Sequence, residues 1–229
     1  MDNFLYYIDE KPYLVLVKYK KIKTIRIKIE FDTIEVNCNN LVSNDKIVEV
    51  LNRNNEWLKK KIKSNEKIKK NLEFDDLINK KKILLLGKNR LIKYDTSISN
   101  IIINDDEVIL KKANWSYKKL FMSFSSYLEM LYNNKTISIK NRPKLVFKSL
   151  KSRWGSYHKG KHEITLNIYL LFFNEEVINY VIDHELSHIK NFNHGKDFYK
   201  ELLERCPNYK KIQKHMKDYA VIIRKLATI

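Results

Sequence analysis

The stretch that most restricts what this chain can fold into is Asp183-His184-Glu185-Leu186-Ser187-His188, because it lies inside an apolar pattern of helical period. Ile178, Ile182, Leu186 and Ile189 recur at three- and four-residue spacing, which predicts a helix over about 175–190 with these residues as its buried stripe. At about 100° per residue, Glu176, Asp183, Ser187 and Lys190 project to a wet face. His184 and His188 are four residues apart, so both imidazoles leave one side of the helix a turn apart, with Glu185 between them and the buried stripe. A helix divided this way needs core under one face, solvent on a second and a cleft on the third. Two imidazoles so placed can grip a single metal ion, and zinc is the ion this spacing suits.

Zinc sites that keep a coordination position open take three protein ligands. His194 is the natural third. Asn191-Phe-Asn193-His-Gly195 is rich in residues that tolerate a left-handed turn, which would end the helix and swing His194 back toward the pair. Glu201 and Glu204 are the carboxylate alternatives on the next helical stretch. Glu185 stands beside the pair as a candidate general base.

The rest of the chain supplies a scaffold. Residues 12–38 alternate with period two, with Tyr13, Val15 and Val17, then Ile25, Ile27 and Ile29, then Ile34 and Val36 on one side. Ser43 or Asn44 caps a helix running to about Ile68, whose outer face is a lysine run. Short strands follow over 82–110, with Gly87-Lys-Asn-Arg as a hairpin turn, then one helix from about Trp115 to Leu131. Ile137–Ile139, Leu145–Phe147 and Ile164–Leu166 read as strands, Arg153-Trp-Gly-Ser-Tyr as irregular, and 175–190, 196–205 and 209–226 as helices. The division is a β-rich part with one helix over 1–111 and an α+β part over 112–229.

The formal net charge is +18, but Lys outnumbers Arg 38 to 7, and Arg is the residue that forks onto phosphates and guanines. Lysine, asparagine and isoleucine are abundant together, as an A/T-rich coding sequence produces without any binding role. The expectation is weak, salt-sensitive binding to nucleic acid at most. Cys38 and Cys206 are too few for a disulfide framework and read as small core hydrophobes. No apolar run approaches a bilayer span, and the first residues lack a secretory pattern, so the expectation is a soluble, cytoplasmic protein with no membrane partner.

His184-Glu-Leu-Ser-His188-x5-His194, with Asn193 before the last His and Phe198 after it, resembles the YgjP-like metallopeptidase family, related to the SprT-like zinc proteases of the zincin fold. Lys151-Ser-Arg-Trp154-Gly155-Ser156 and Ile164-Thr-Leu-Asn167 are similar to the family's second block, and Tyr180-Val-Ile-Asp-His184 matches its approach to the active helix. Tyr157 stands where the family commonly has Cys, and Phe173-Asn174 where a Pro is frequent. The resemblance implies an α+β, zincin-like metalloprotease domain with an active-site helix. It implies zinc held by His184, His188 and His194, Glu185 as base, and a peptide or protein as substrate. Tyr157, Tyr199 and Arg153 are candidates for a second donor to the oxyanion, and Ile164–Leu166 or its neighbour for pairing with an extended peptide. Trp154 is expected to pack under the active helix, and His158 and His162 to lie at the surface. The competing reading is a nucleic-acid-associated protein, or a protease of proteins attached to DNA, as among SprT-like relatives.

Overall fold

Alternation in the N-terminal stretch builds a four-stranded sheet in the computed structural model, which describes residues 3–30 and 33–229. Its strands are β1 (Asn3–Ile8), β2 (Lys11–Tyr19), β3 (Arg26–Glu30) and β4 (Thr33–Cys38), in the order β1-β2-β4-β3. β2 and β4 run parallel and the outer pairs antiparallel. Asp9 and Glu10 close the first hairpin, both with positive φ, the conformation a tight two-residue connection needs. Tyr13, Val15, Val17, Ile34 and Val36 line the inner face, and α1 (Asn44–Arg53) and α2 (Asn55–Asn71) cover it with Ile47, Leu51 and Leu58. Ser43 caps α1 by accepting from the Lys46 N–H at 3.3 Å. Cys38 is buried among these side chains as a free thiol. These elements form one compact unit ending at Asn71.

The second unit begins at Leu72 and contains the strands over 82–110 as well as everything that follows. After α3 (Phe74–Ile78) come β5 (Lys82–Leu85), β6 (Lys88–Tyr94), β7 (Ile102–Ile103) and β8 (Glu107–Leu110), ordered β5-β6-β8-β7. The hairpin turns on Leu86 and Gly87, both with positive φ, and Lys88 already belongs to β6. The helix expected over 115–131 is two, α4 (Tyr117–Ser123) and α5 (Ser125–Thr136), because the chain leaves helical geometry at Phe124. There the Ser123 hydroxyl donates to the Leu120 carbonyl at 2.6 Å and competes with the helix for it. Ile137–Ile139 is a turn, not a strand; Ile137 is exposed and finds no sheet partner.

A third sheet supports the histidine motif. β9 (Lys144–Lys148), β10 (Gly155–His158) and β11 (Glu163–Asn167) are ordered β10-β11-β9, so the Trp-Gly-Ser-Tyr stretch expected to be irregular is largely a strand at a sheet edge. A buried one-turn stretch, Ile168–Phe172, leads into α6 (Glu175–Ser187), followed by α7 (Lys196–Arg205) and α8 (Tyr209–Leu226). Phe172 packs edge-on to Phe121 and tilted against Tyr117, centroids 4.7 Å from each, anchoring the approach to α6 on α4. The architecture is mixed α+β. Among the described residues no helix is long and apolar enough to cross a membrane.

Candidate metal centre

α6 starts where Asn174 accepts a hydrogen bond from the Val177 N–H at 3.2 Å, with Glu175 and Glu176 in the first turn where the helix dipole favours anions. Three of the four residues expected in its buried stripe are there, with Ile178, Ile182 and Leu186 0–1% exposed; Ile189 falls beyond the end of the helix and is only half-buried. The expected wet face is not all wet. Asp183 and Ser187 are buried, because α5 packs over that side and sends in Lys135, whose ammonium lies 2.8 Å from Asp183. The Ser187 hydroxyl is satisfied by the Asp183 carbonyl at 2.7 Å. Burial raises the Asp183 carboxyl against the pull of Lys135, so the pair holds the helix in place without standing in the cleft.

The third face carries the imidazoles. The helix ends at Ser187, and the connection returns His194 to the pair without any left-handed residue between 191 and 195, so the expected left-handed turn is not how the reversal is made. Nε2 of His194 is 3.1 Å from Nε2 of His184. One ligand atom from each of His184, His188 and His194 lies within 4.8 Å of the others. Nitrogens bound at ~2.0–2.1 Å around a tetrahedral ion stand about 3.4 Å apart, so the cluster needs little adjustment to hold one. Phe198, fully buried, lies against all three rings at centroid distances of 4.5–4.9 Å.

Protonation favours ligation too. Burial, then the neighbouring His188 and His194, bring His184 down to about 4, and burial lowers His188. Both are neutral at neutral pH, the form that binds metal. His188 Nδ1 faces the Asn191 carbonyl at 3.0 Å, which fixes its proton there and leaves Nε2 free. His184 Nδ1 is buried without a partner. The residues therefore fit a metal ion.

Glu185 is 5% exposed and presses against β10 at Gly155. A Cβ at Gly155 would meet the Glu185 Cγ and Oε1 at 2.8 Å, so only glycine leaves room for the carboxylate. Burial pushes Glu185 up to about 8, against the Tyr157 backbone N–H and the Arg153 charge, which favour ionisation. Gly155→Ala should lower stability by about 1–3 kcal/mol as the wall overpacks. An unchanged Tm in thermal denaturation would show that the carboxylate moves aside freely.

The remaining candidates divide. Arg153 lines a cleft of about 320 Å³ together with His184 and Glu185, walled on the far side by Gln213 and Met216 of α8. Tyr157 donates its hydroxyl to His162 Nδ1 at 2.9 Å, while His162 Nε2–H donates to the Asn141 carbonyl at 3.0 Å, so His162 is half-buried and engaged. His158 is exposed. Tyr199 stacks on Tyr209, centroids 5.8 Å apart. Glu201 pairs with Lys190 at 2.9 Å and Arg205 at 2.8 Å, and neither it nor Glu204 joins the metal-capable cluster among the described residues. Trp154 packs edge-on to Phe173, and it also lines the cleft. Ile164–Leu166 lies in the central strand of its sheet with both edges paired, so the edge strands are its two neighbours, β10 and β9. Sequence reasoning missed the steric role of Gly155 and the wall from α8; the glycine's place in the Trp-Gly-Ser motif was the available signal.

A family model described as "YgjP-like, metallopeptidase domain" matches residues 23–219. Comparison with curated proteins gave no match. Among solved structures, the metallopeptidase zymogen abylysin of Pyrococcus abyssi is 24% identical with a TM-score of 0.37, over 41% of this chain and 95% of that one. The metallopeptidase zymogen jannalysin of Methanocaldococcus jannaschii is 32% identical with a TM-score of 0.33, over 38% of this chain and 96% of that one.

Proposed function

The chain belongs to the YgjP-like metallopeptidase family, and we propose that it is a zinc-dependent peptidase in which His184, His188 and His194 hold the metal and Glu185 is the general base. The observation that carries the reading is the convergence of three imidazoles on one point with a buried carboxylate one residue from the first of them. An all-imidazole donor set suits zinc. When bound, zinc supplies Lewis-acid polarisation of the scissile carbonyl and makes water acidic enough to deprotonate near neutral pH.

The chain's own residues do the rest. His188 is oriented by the Asn191 carbonyl, and Phe198 keeps water off the inner side of the triad. Glu185, which would be ionised beside a bound dication, would take a proton from water on its carboxylate oxygen and pass it to the leaving amine. Arg153 is the best placed of the three donor candidates to meet the developing oxyanion, since the Tyr157 hydroxyl is committed to His162 and Tyr199 is stacked on Tyr209. One equivalent of zinc by elemental analysis, with chelator-sensitive cleavage of an unfolded protein such as casein, is the result expected. Metal-loaded protein inert toward a broad peptide panel would refute the reading.

The buried base has a measurable cost in the metal-free protein. Folded Glu185 keeps its proton up to about 8, whereas in the unfolded chain it ionises near 4.5. The folded state thus holds the extra proton between these values, and stability falls as pH rises through that window. Glu185→Gln removes this slope and should stabilise the chelated protein at pH 9 by a few kcal/mol. Urea unfolding in chelator at pH 6 and pH 9 measures it; an identical slope in wild type and variant would contradict the assignment.

A further inference from the structure

A second cavity, of about 310 Å³, continues the cleft away from the histidines and shares Arg153, Trp154 and Arg224 with it. Its walls are the loop 149–154 on one side and the last turns of α8 on the other. Lys151, Arg153 and Arg224 line it and Lys217 lines the cleft; all four are exposed. Among the described residues none of Lys151, Arg153 and Arg224 is held in an ion pair, and Glu185 is the one carboxylate on either wall. The only acid in α8, Asp218, lines neither cavity.

This charge is presented on a fixed frame. Asn167, 2% exposed, donates through Nδ2 to the carbonyls of Leu150 and Arg153, both at 2.9 Å, and accepts from the Leu150 N–H at 3.3 Å. The Tyr169 hydroxyl donates to the Ala227 carbonyl at 3.2 Å and ties down the end of α8. Because both walls are braced, little ordering has to accompany binding. Concave, cationic surfaces concentrate anionic ligands more strongly than the same charges on an open face.

We propose that this groove selects substrates, taking a polypeptide segment with acidic side chains on one side of the scissile bond through Lys151 and Arg224, with Arg153 at its junction with the cleft. The inference rests on the peptidase reading, and it separates from that reading because binding can be measured without turnover. Fluorescence anisotropy with the metal-loaded Glu185→Gln protein would compare a labelled peptide carrying Asp and Glu beside an apolar core with its Asn/Gln counterpart. The acidic peptide should bind about tenfold tighter or more, the gap narrowing as salt rises. Lys151→Glu combined with Arg224→Glu should bring the ratio to one or below. Reversing two lysines of α2 instead, Lys63→Glu with Lys67→Glu, should leave it within about twofold. Cleavage by the wild type should follow the same ratio in kcat/KM. Equal binding of the two peptides would overturn the inference, and so would a ratio that falls equally in both charge-reversed proteins. Tight binding of duplex DNA with no preference for the acidic peptide would overturn it in favour of a nucleic-acid groove. A charge preference in binding with no cleavage of either peptide by the wild type would keep the groove and sink the peptidase assignment.

Discussion

Glu185→Gln is expected to keep its metal and lose peptide hydrolysis by about 10²–10⁴-fold. The substitution conserves volume against Gly155, where there is no room to spare. It also keeps an oxygen to face the Tyr157 backbone N–H, so the wall of the cleft should be unchanged. What it removes is the basic carboxylate that the proposed mechanism needs for proton transfer. The three imidazoles are untouched, so elemental analysis should give wild-type metal content. Full activity in this variant would dismiss Glu185 as the base. Equal loss of metal and activity would mean that the carboxylate is a ligand instead.

His188→Ala should abolish stoichiometric metal and, with it, measurable cleavage. Losing a partner that merely orients a ligand typically costs 10–100-fold in metal affinity, so deleting a ligand itself should cost more. The position also leaves a hole beside Phe198 and frees the Asn191 carbonyl, so folding must be checked separately. Circular dichroism of the chelated wild type and chelated variant provides that check, because neither contains metal. Unchanged metal content in a folded variant would show that the ion is held elsewhere.

Much of the candidate site was legible because its pattern is local. Helical spacing puts His184 and His188 on one face and Ile178, Ile182 and Leu186 on another whatever the surroundings, and those three are buried as read, while Ile189 lies past the helix end and is half-buried. Asp183 and Ser187 were misread because polarity alone cannot reveal that another helix will arrive over them with a lysine in reach. β1 escaped notice because Phe4, Leu5, Tyr6, Tyr7 and Ile8 are apolar on both faces; Leu5 is 55% and Tyr7 61% exposed, so no two-residue period marks the strand. The split between α4 and α5 turns on one serine hydroxyl competing for a carbonyl, which leaves the apolar spacing unbroken. The edge strand carrying Gly155 looked irregular because four residues are too few to show alternation. The glycine's purpose is steric and concerns a residue thirty positions away.

The proposed triad is built asymmetrically, and this bears on how fast metal would exchange. His184 lies within α6, which α5 braces, and His188 is its C-cap, still in helical conformation, so their spacing is settled when the domain folds. His194 is exposed and sits in the connection between α6 and α7, held by no helix of its own. Two ligands would therefore act as a standing chelate, and the third would add its share through the effective concentration the short connection gives it. Release would begin at His194 and recapture would end there. Residence time would then depend on the residues between Ile189 and Gly195 more than on those of the helix, and changes in that connection would alter the rate of metal loss while leaving the two-histidine chelate in place.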